Sequence, residues 1–394
     1  MRALVTGASG YVGSRLVAAL LAEDVDVVVG SRTPANLRAF DYYDSVTAVA
    51  LDVTDEQSCA AAFEESGHID VAYYLVHAIG ESDYRAQDRR SAEQFAAAAA
   101  TAGVGRIVYL GGFVPDDDRL SEHLASRADV GEALTVDGVE LVWLRAAIVL
   151  GAGSTSYEML RYLADRLPVL PLPSWLDEPV QPIAIDDVLH YLAASADPET
   201  VPAGSYDIGG PDVVPYRDLV FAYVEAAGLQ RIGVPVPFVP TSVAGKVIGR
   251  IIPVPAGLAE DLVGSLHNTM TTSESRIRAL VPDPPLGLTT IADAMARGVL
   301  GQVGEPPGVC ALKDPLRLAN TDAAWSGGDA LGVRRRGVAA SSDGTWGLIE
   351  ALGGRRLLAS KPVAAAVRTN LDVAAGVNRR VSSALRRLTD TEEA

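Results

Sequence analysis

The chain has 394 residues, enough for one large two-part domain with additional segments, and a net charge of −17. That charge disfavours nucleic acid as a partner, and the two cysteines, Cys59 and Cys310, are too few for a disulfide framework and point to a reducing cytoplasm. No uninterrupted apolar run reaches membrane-spanning length, and because the first residues read as a strand, no signal peptide is expected.

The first predicted elements are a buried strand at Ala3-Leu4-Val5, a glycine turn Thr6-Gly7-Ala8-Ser9-Gly10-Tyr11-Val12-Gly13, and an Ala/Leu/Val-rich helix from Ser14 to Leu21. Strand, glycine turn and helix in that order open a dinucleotide-binding βαβ unit. Gly7 would permit the tight turn, Gly10 a close approach to a pyrophosphate, and Gly13 close helix packing. Ser9, Tyr11 and Val12 complete the expected phosphate-binding set, at the positive end of the helix. The glycine spacing is Gly-x-x-Gly-x-x-Gly, a variant of the simplest fingerprint.

A second strand at Asp26-Val27-Val28-Val29 leads to Gly30-Ser31-Arg32. An NAD site usually places an acid here for the ribose 2′-hydroxyl, whereas Arg32 suits a 2′-phosphate, so NADP(H) is favoured over NAD(H). Leu51-Asp52-Val53 closes the third strand, where Asp52 would reach the adenine amino group or cap the helix starting near Thr54. Strands four, five and six are expected at Val71–Val76, Arg106–Leu110 and Glu140–Val149, with an amphipathic helix over Asp83–Ala102. This alternation predicts an α/β fold with a doubly wound parallel sheet and a ligand crevice at the carboxyl ends of its strands. His77, directly after strand four, would lie beside the nicotinamide.

Several segments together resemble the extended and atypical short-chain dehydrogenase/reductases. They are the opening turn, Tyr109-Leu110-Gly111-Gly112, Leu144-Arg145-Ala146-Ala147-Ile148-Val149-Leu150-Gly151, and Gln181-Pro182-Ile183-Ala184-Ile185-Asp186-Asp187-Val188. Tyr206-Asp207-Ile208-Gly209-Gly210-Pro211 and the helix from Tyr216 to Gly228 resemble the family's substrate-side segment. Within the family the chain is similar to bacterial relatives of the Rossmann accessory subunit of respiratory complex I, and the nitrogen-metabolite-repression regulators form another atypical branch. The resemblance implies a Rossmann core over about 1–175 and 190–210, and a smaller substrate-side subdomain over about 176–189 and 211–312.

The departure lies in the chemistry. The family places a Ser or Thr after strand five and a Tyr-x-x-x-Lys on the next helix. Here the strand ends in Gly111-Gly112-Phe113, and the helix Ser121–Leu134 carries His123 at the Tyr position and Arg127 at the Lys position. Three readings stand open. His123 is a replacement acid/base with Arg127 holding ribose or phosphate; or the protein binds NADP(H) without redox work; or the site is rebuilt from His77, Tyr109, Ser154, Ser156 or Tyr157.

Gly112, Ser154, Tyr157 and Gln181 are the expected substrate-pocket residues. The Asp186-Asp187 pair is expected to cap the next helix, and no metal site is expected. The resulting expectation is an NADP-dependent oxidoreductase or isomerase acting on a small or lipophilic carbonyl/hydroxyl compound. A redox-silent sensor or assembly protein is the alternative, and a nucleotide-sugar epimerase or dehydratase the third. The apolar, proline-punctuated stretch Ile232–Leu258 suits a hydrophobic ligand, a membrane surface or a subunit contact, or is ordinary core.

Residues 313–360 read as a linker. Residues 361–390 read as a basic amphipathic helix that would dock on protein, or peripherally on anionic lipid.

Overall fold

The computed structural model describes residues 1–77, 84–114, 121–236, 239–251 and 261–302. The expected linker at 313–360 and basic helix at 361–390 lie outside the described residues. No helix among the described residues is long and apolar enough to cross a membrane.

A seven-stranded parallel sheet forms the core, its successive strands joined by α-helices except between the second and third, where two short 3-10 turns make the connection. In chain order its strands are β1 (Arg2–Val5), β2 (Asp26–Ser31), β3 (Thr47–Ala50), β4 (Val71–Tyr74), β5 (Arg106–Gly112), β6 (Glu140–Ala146) and β11 (Gly204–Ile208). Their spatial order is β11-β6-β5-β4-β1-β2-β3, every neighbouring pair parallel. The sequence of strands reverses between β1 and β4, and in such a sheet the ligand crevice opens outside the carboxyl ends at that point.

Alternation along each strand explains why both faces are covered. Val5, Val29 and Tyr73 enter one apolar layer, while Leu4, Val28 and Tyr74 enter the other. Helix α1 (Tyr11–Ala22) and helix α6 (Ile185–Ala194) pack together and supply the first layer. Helices α2 (Glu56–Ser66), α3 (Tyr84–Thr101) and α4 (Glu122–Ala133) line up on the opposite face.

Two boundaries differ from the sequence expectation for physical reasons. Strand three stops at Ala50, because Asp52 accepts hydrogen bonds from the backbone N–H (3.0 Å) and hydroxyl (2.7 Å) of Thr54 and turns the chain. Asp55, not Asp52, caps α2, accepting from the Gln57 N–H at 2.9 Å. The sixth strand is interrupted after Ala146: β7 (Val149–Leu150) leaves the sheet and pairs with β10 (Ile183–Ala184).

Beyond Leu150 the chain builds a second layer of structure. Helix α5 (Thr155–Arg166) packs on α7 (Tyr216–Ala226), β8 (Val169–Leu172) pairs with β13 (Ile232–Pro235), and β9 (Pro179–Val180) pairs with β12 (Val214–Pro215). Helix α8 (Thr241–Ile251) also packs on α5. This second layer therefore begins near residue 155, earlier than the expected boundary at 175, while α6 packs with the sheet. The reason is compositional: the buried residues of α6 are Ile185, Val188, Leu189, Tyr191 and Leu192, which fill the layer under α1.

Asp186 and Asp187 do not cap α6, whose N-cap is Ala184 without a side-chain bond. Asp187 accepts from the Thr289 N–H (2.8 Å) and hydroxyl (3.3 Å), and Asp186 pairs with Arg297 at 2.9 Å. These acids tie the 289–302 segment to the sheet domain.

Candidate functional site

The turn after β1 is shaped by contacts that only glycine tolerates. Gly7 has φ +64°, and a Cβ there would lie 2.7 Å from the Leu75 carbonyl oxygen. A Cβ on Gly13 would lie 2.2 Å from the Gly7 carbonyl oxygen, so the first turn of α1 rests directly on the bend. Gly10 is the N-cap of α1; no side chain caps this end, and no acid occupies the first turn. The positive helix end, with its amide donors, is thus left for an anionic group, which fits a pyrophosphate.

A cleft of about 210 Å³ opens beside this turn. Gly7, Ser9, Arg32, Asp52, Val53 and His77, six of the residues singled out from the sequence, line it together. Arg32 is exposed at the cleft. The Thr54 hydroxyl holds the Asp52 carboxyl below its ordinary range, assisted by the charge of Arg32. Tyr11 and Val12 sit in α1 away from the cleft lining. The Tyr11 ring lies under the Arg15 guanidinium (3.9 Å), and Val12 packs against the core. The third wall of the cleft comes from α3, through Gln87, Asp88 and Ser91, which the sequence reading had not singled out.

Asp88 connects the cleft to the next helix. It is 4% exposed and accepts from the Arg127 guanidinium at 2.8 Å and from the Ser126 hydroxyl at 3.2 Å. Arg127 itself is 6% exposed, and its Nε has no hydrogen-bond partner. Its aliphatic stem lies against Gly112, where an added Cβ would meet the Arg127 Cγ at 3.4 Å. Arg127 therefore spans from an acid of the cleft to the end of β5. It does not stand in the cleft lining as a free cation.

Gly112 and His123 line a second, larger cavity of about 310 Å³. Its walls come from α5, β8, α7, α8 and the 262–270 segment, and include Leu163, Trp175, Val220, Ile248 and Leu262. Among its described lining residues there is no lysine, arginine, aspartate or glutamate. His123 and Tyr216 are the titratable side chains among the described lining residues. The His123 Nδ1 is enclosed without a hydrogen-bond partner, which leaves Nε2 as the atom able to meet a ligand.

Burial pushes the His123 imidazole down to about 3, and the Arg127 charge acts in the same direction. His77, crowded by the cleft walls yet open to it, is shifted the same way by desolvation, by Arg127 and by His123. Both rings are neutral at pH 7.

A stability consequence follows. Between about pH 6.5 and 3 the unfolded chain holds a proton on residue 123 that the folded chain lacks, so stability falls as pH falls through that window. Thermal unfolding at pH 7.0 and 4.5 should show a smaller acid-side loss for His123→Gln than for the natural chain. An identical loss would contradict the buried neutral imidazole.

Three further sequence candidates, Ser154, Tyr157 and Gln181, are engaged within the fold. The Ser154 hydroxyl donates to the Val149 carbonyl (2.8 Å) and caps α5 by accepting from the Tyr157 N–H (3.3 Å). Tyr157 is fully buried, edge-on to Tyr223. Gln181 donates to the Gly210 carbonyl and accepts from the Thr272 N–H and hydroxyl. None of the three lines the cavity, because each is consumed in holding the layer together; Ser156 does line it. Tyr109 is buried in the sheet, its hydroxyl donating to the Arg127 carbonyl at 3.1 Å, and burial raises its pKa.

Comparison with known proteins bears on the first part of the chain. Residues 7–139 match the family described as NAD(P)H-binding. An uncharacterized protein of Mycobacterium tuberculosis is 28% identical over 236 residues, 60% of this chain and 24% of that protein; a Mycobacterium bovis protein matches equally. The chain thus spans about a quarter of the length of the curated relatives it matches.

Among solved structures, a nucleoside-diphosphate-sugar epimerase from Staphylococcus aureus superposes with a TM-score of 0.61 at 18% identity, over 75% of this chain and 100% of that one. A UDP-N-acetylglucosamine 4-epimerase from Bacillus cereus gives 0.57 at 13%, over 78% and 98%. A Bordetella bronchiseptica enzyme in complex with NAD+ gives 0.55 at 16%, over 76% and 97%. At these identities the likeness is one of fold. The glycine turn, the strand order and the matched residues together make this part of the chain an NAD(P)-binding Rossmann domain.

Proposed function

We propose that the protein is an NAD(P)-dependent oxidoreductase acting on a carbonyl or hydroxyl compound, with NADP(H) as the favoured cofactor. The observation that carries this reading is the junction at Arg127. Its guanidinium meets Asp88 of the nucleotide cleft, and its stem packs beside Gly112 of the apolar cavity. A dinucleotide laid along the cleft would bring its reactive end to the cavity where a substrate would sit.

A bound nicotinamide supplies or accepts a hydride; the chain's residues do the rest. The turn Gly7–Gly13 receives the pyrophosphate, and Arg32 takes the 2′-phosphate. Asp88 fixes Arg127, whose buried charge favours the electron-rich form of a nearby substrate oxygen. His123, neutral, donates a hydrogen bond from Nε2 to that oxygen and polarises the carbonyl.

Replacement of His123 by Ala should lower kcat about 10²–10³-fold, as loss of one such donor does, with nucleotide affinity unchanged. The natural enzyme's kcat should show no titration near pH 6.5. Unchanged turnover in the variant would remove His123 from the chemistry.

A second reading, a redox-silent NADP(H) sensor, is favoured by the engagement of Arg127 with Asp88 where the family's lysine would be free to hold the ribose. Tight nucleotide binding with no oxidation across a panel of quinones, ketones and aldehydes would support that reading. A third reading is a nucleotide-sugar epimerase or dehydratase, the activity named for several fold neighbours, although the described residues of the cavity lining include no cation for a diphosphate.

A further inference from the structure

The cavity beside Gly112 is not explained by packing. Apolar volume left unfilled weakens a fold in proportion to its size, and an apolar hole offers too few partners to hold ordered water. Yet about 310 Å³ is kept open here, within the apolar cluster that α5, α8 and the 262–266 segment form around Met159, Trp175 and Val263.

The polar side chains among its described lining residues are His123, Ser156, Trp175, Tyr216 and Ser265, and two of them are committed to other partners. The Trp175 indole N–H donates to the Val239 carbonyl at 2.8 Å. The Ser265 hydroxyl donates to the Asp261 carbonyl at 3.0 Å and accepts from Ser121 at 2.8 Å. His123, with its orphaned Nδ1, stands where the cavity meets β5. The result is a chamber with mostly hydrocarbon walls, whose other polar side chains are His123, Ser156 and Tyr216.

We infer that this cavity binds an uncharged ligand with a hydrocarbon body, its oxygen function held at His123, and that it rejects diphosphate-bearing compounds. Resting on the oxidoreductase reading, this names the substrate class: a lipophilic aldehyde, ketone or alcohol. Burying an anion among these walls would cost far more than His123, kept neutral beside Arg127, could return. A hydrocarbon chain gains at every contact.

The test uses the full chain and the fluorescent probe N-phenyl-1-naphthylamine, titrated without nucleotide and then displaced by competitors. Farnesol and decanal should displace it at micromolar concentrations, whereas UDP-glucose should not displace it at a concentration a hundredfold higher. Leu163→Lys and Ala244→Arg place a charge in the wall from two separate helices and should each weaken probe binding at least tenfold. Ala147→Phe fills the space without charge and should do the same, which keeps the test decisive where a charged variant fails to fold.

Parallel NADPH titrations of the same samples separate the two readings. Intact nucleotide binding with probe affinity unchanged in Ala147→Phe and in the folded charged variants overturns the cavity assignment alone. Displacement by UDP-glucose at the same concentration as farnesol overturns it as well. Probe binding that behaves as expected in a chain that binds no nucleotide leaves the cavity assigned and the oxidoreductase reading refuted.

Discussion

Replacement of Gly13 by alanine is expected to weaken NADPH binding by at least tenfold, about 1.4 kcal/mol. The added methyl would stand 2.2 Å from the Gly7 carbonyl oxygen and 2.8 Å from its carbon, distances that no real side chain shows. Both partners are backbone, so relief requires α1 to move away from the turn. That movement displaces the amides that receive the pyrophosphate. Some loss of thermal stability should accompany it, since Leu16, Val17 and Leu20 on the same helix are fully buried. Calorimetric titration separates the two effects at a temperature where the variant is folded. An alanine variant that binds NADPH as the natural chain does would show that the turn is not the phosphate site.

The second large effect is expected from Asp88→Ala. Arg127 is 6% exposed and Asp88 4%, so removing the carboxylate leaves a guanidinium buried without its counter-charge. Such a loss typically costs about 3–5 kcal/mol. The Ser126 hydroxyl, which donates to the same carboxylate, loses its acceptor as well. Chemical unfolding should show the midpoint displaced accordingly, and the double variant Asp88→Leu with Arg127→Met should recover much of it, because two apolar groups need no counter-charge. A single variant as stable as the natural chain would mean that the pair is open to water. In the recovered double variant turnover should still be lost, which separates a functional role of Arg127 from a merely structural one.

The fold was largely legible because its signals are local and redundant. Runs such as Val27-Val28-Val29 and Ile107-Val108-Tyr109 read as buried on both faces and became central strands of the sheet. The glycine turn announced the cleft, and Arg32 and Asp52, distant in sequence, were placed on it by strand order alone.

The cleft's third wall was less visible, though a trace existed. Along α3 the buried positions Tyr84, Asp88, Ser91, Ala92 and Phe95 follow helical spacing, so Asp88 stands on a buried stripe. An acid there signals a buried cation on a neighbouring helix. The second layer was the least readable. Ser154 and Gln181 look like pocket residues in sequence, yet their polar atoms satisfy local backbone and caps. The cavity instead collects Leu163, Trp175, Ile248 and Leu262 from segments that only tertiary packing brings together.

The most direct test of the central claim is calorimetric titration of NADPH and of NADH into the full chain, and into Arg32→Ala. The account predicts one NADPH site per chain, bound more tightly than NADH, with the preference reduced at least tenfold when Arg32 is removed while NADH binding is retained. Absence of heat with both nucleotides would contradict the assignment of the glycine-turn cleft. Equal affinities, unaltered by the substitution, would contradict the role given to Arg32.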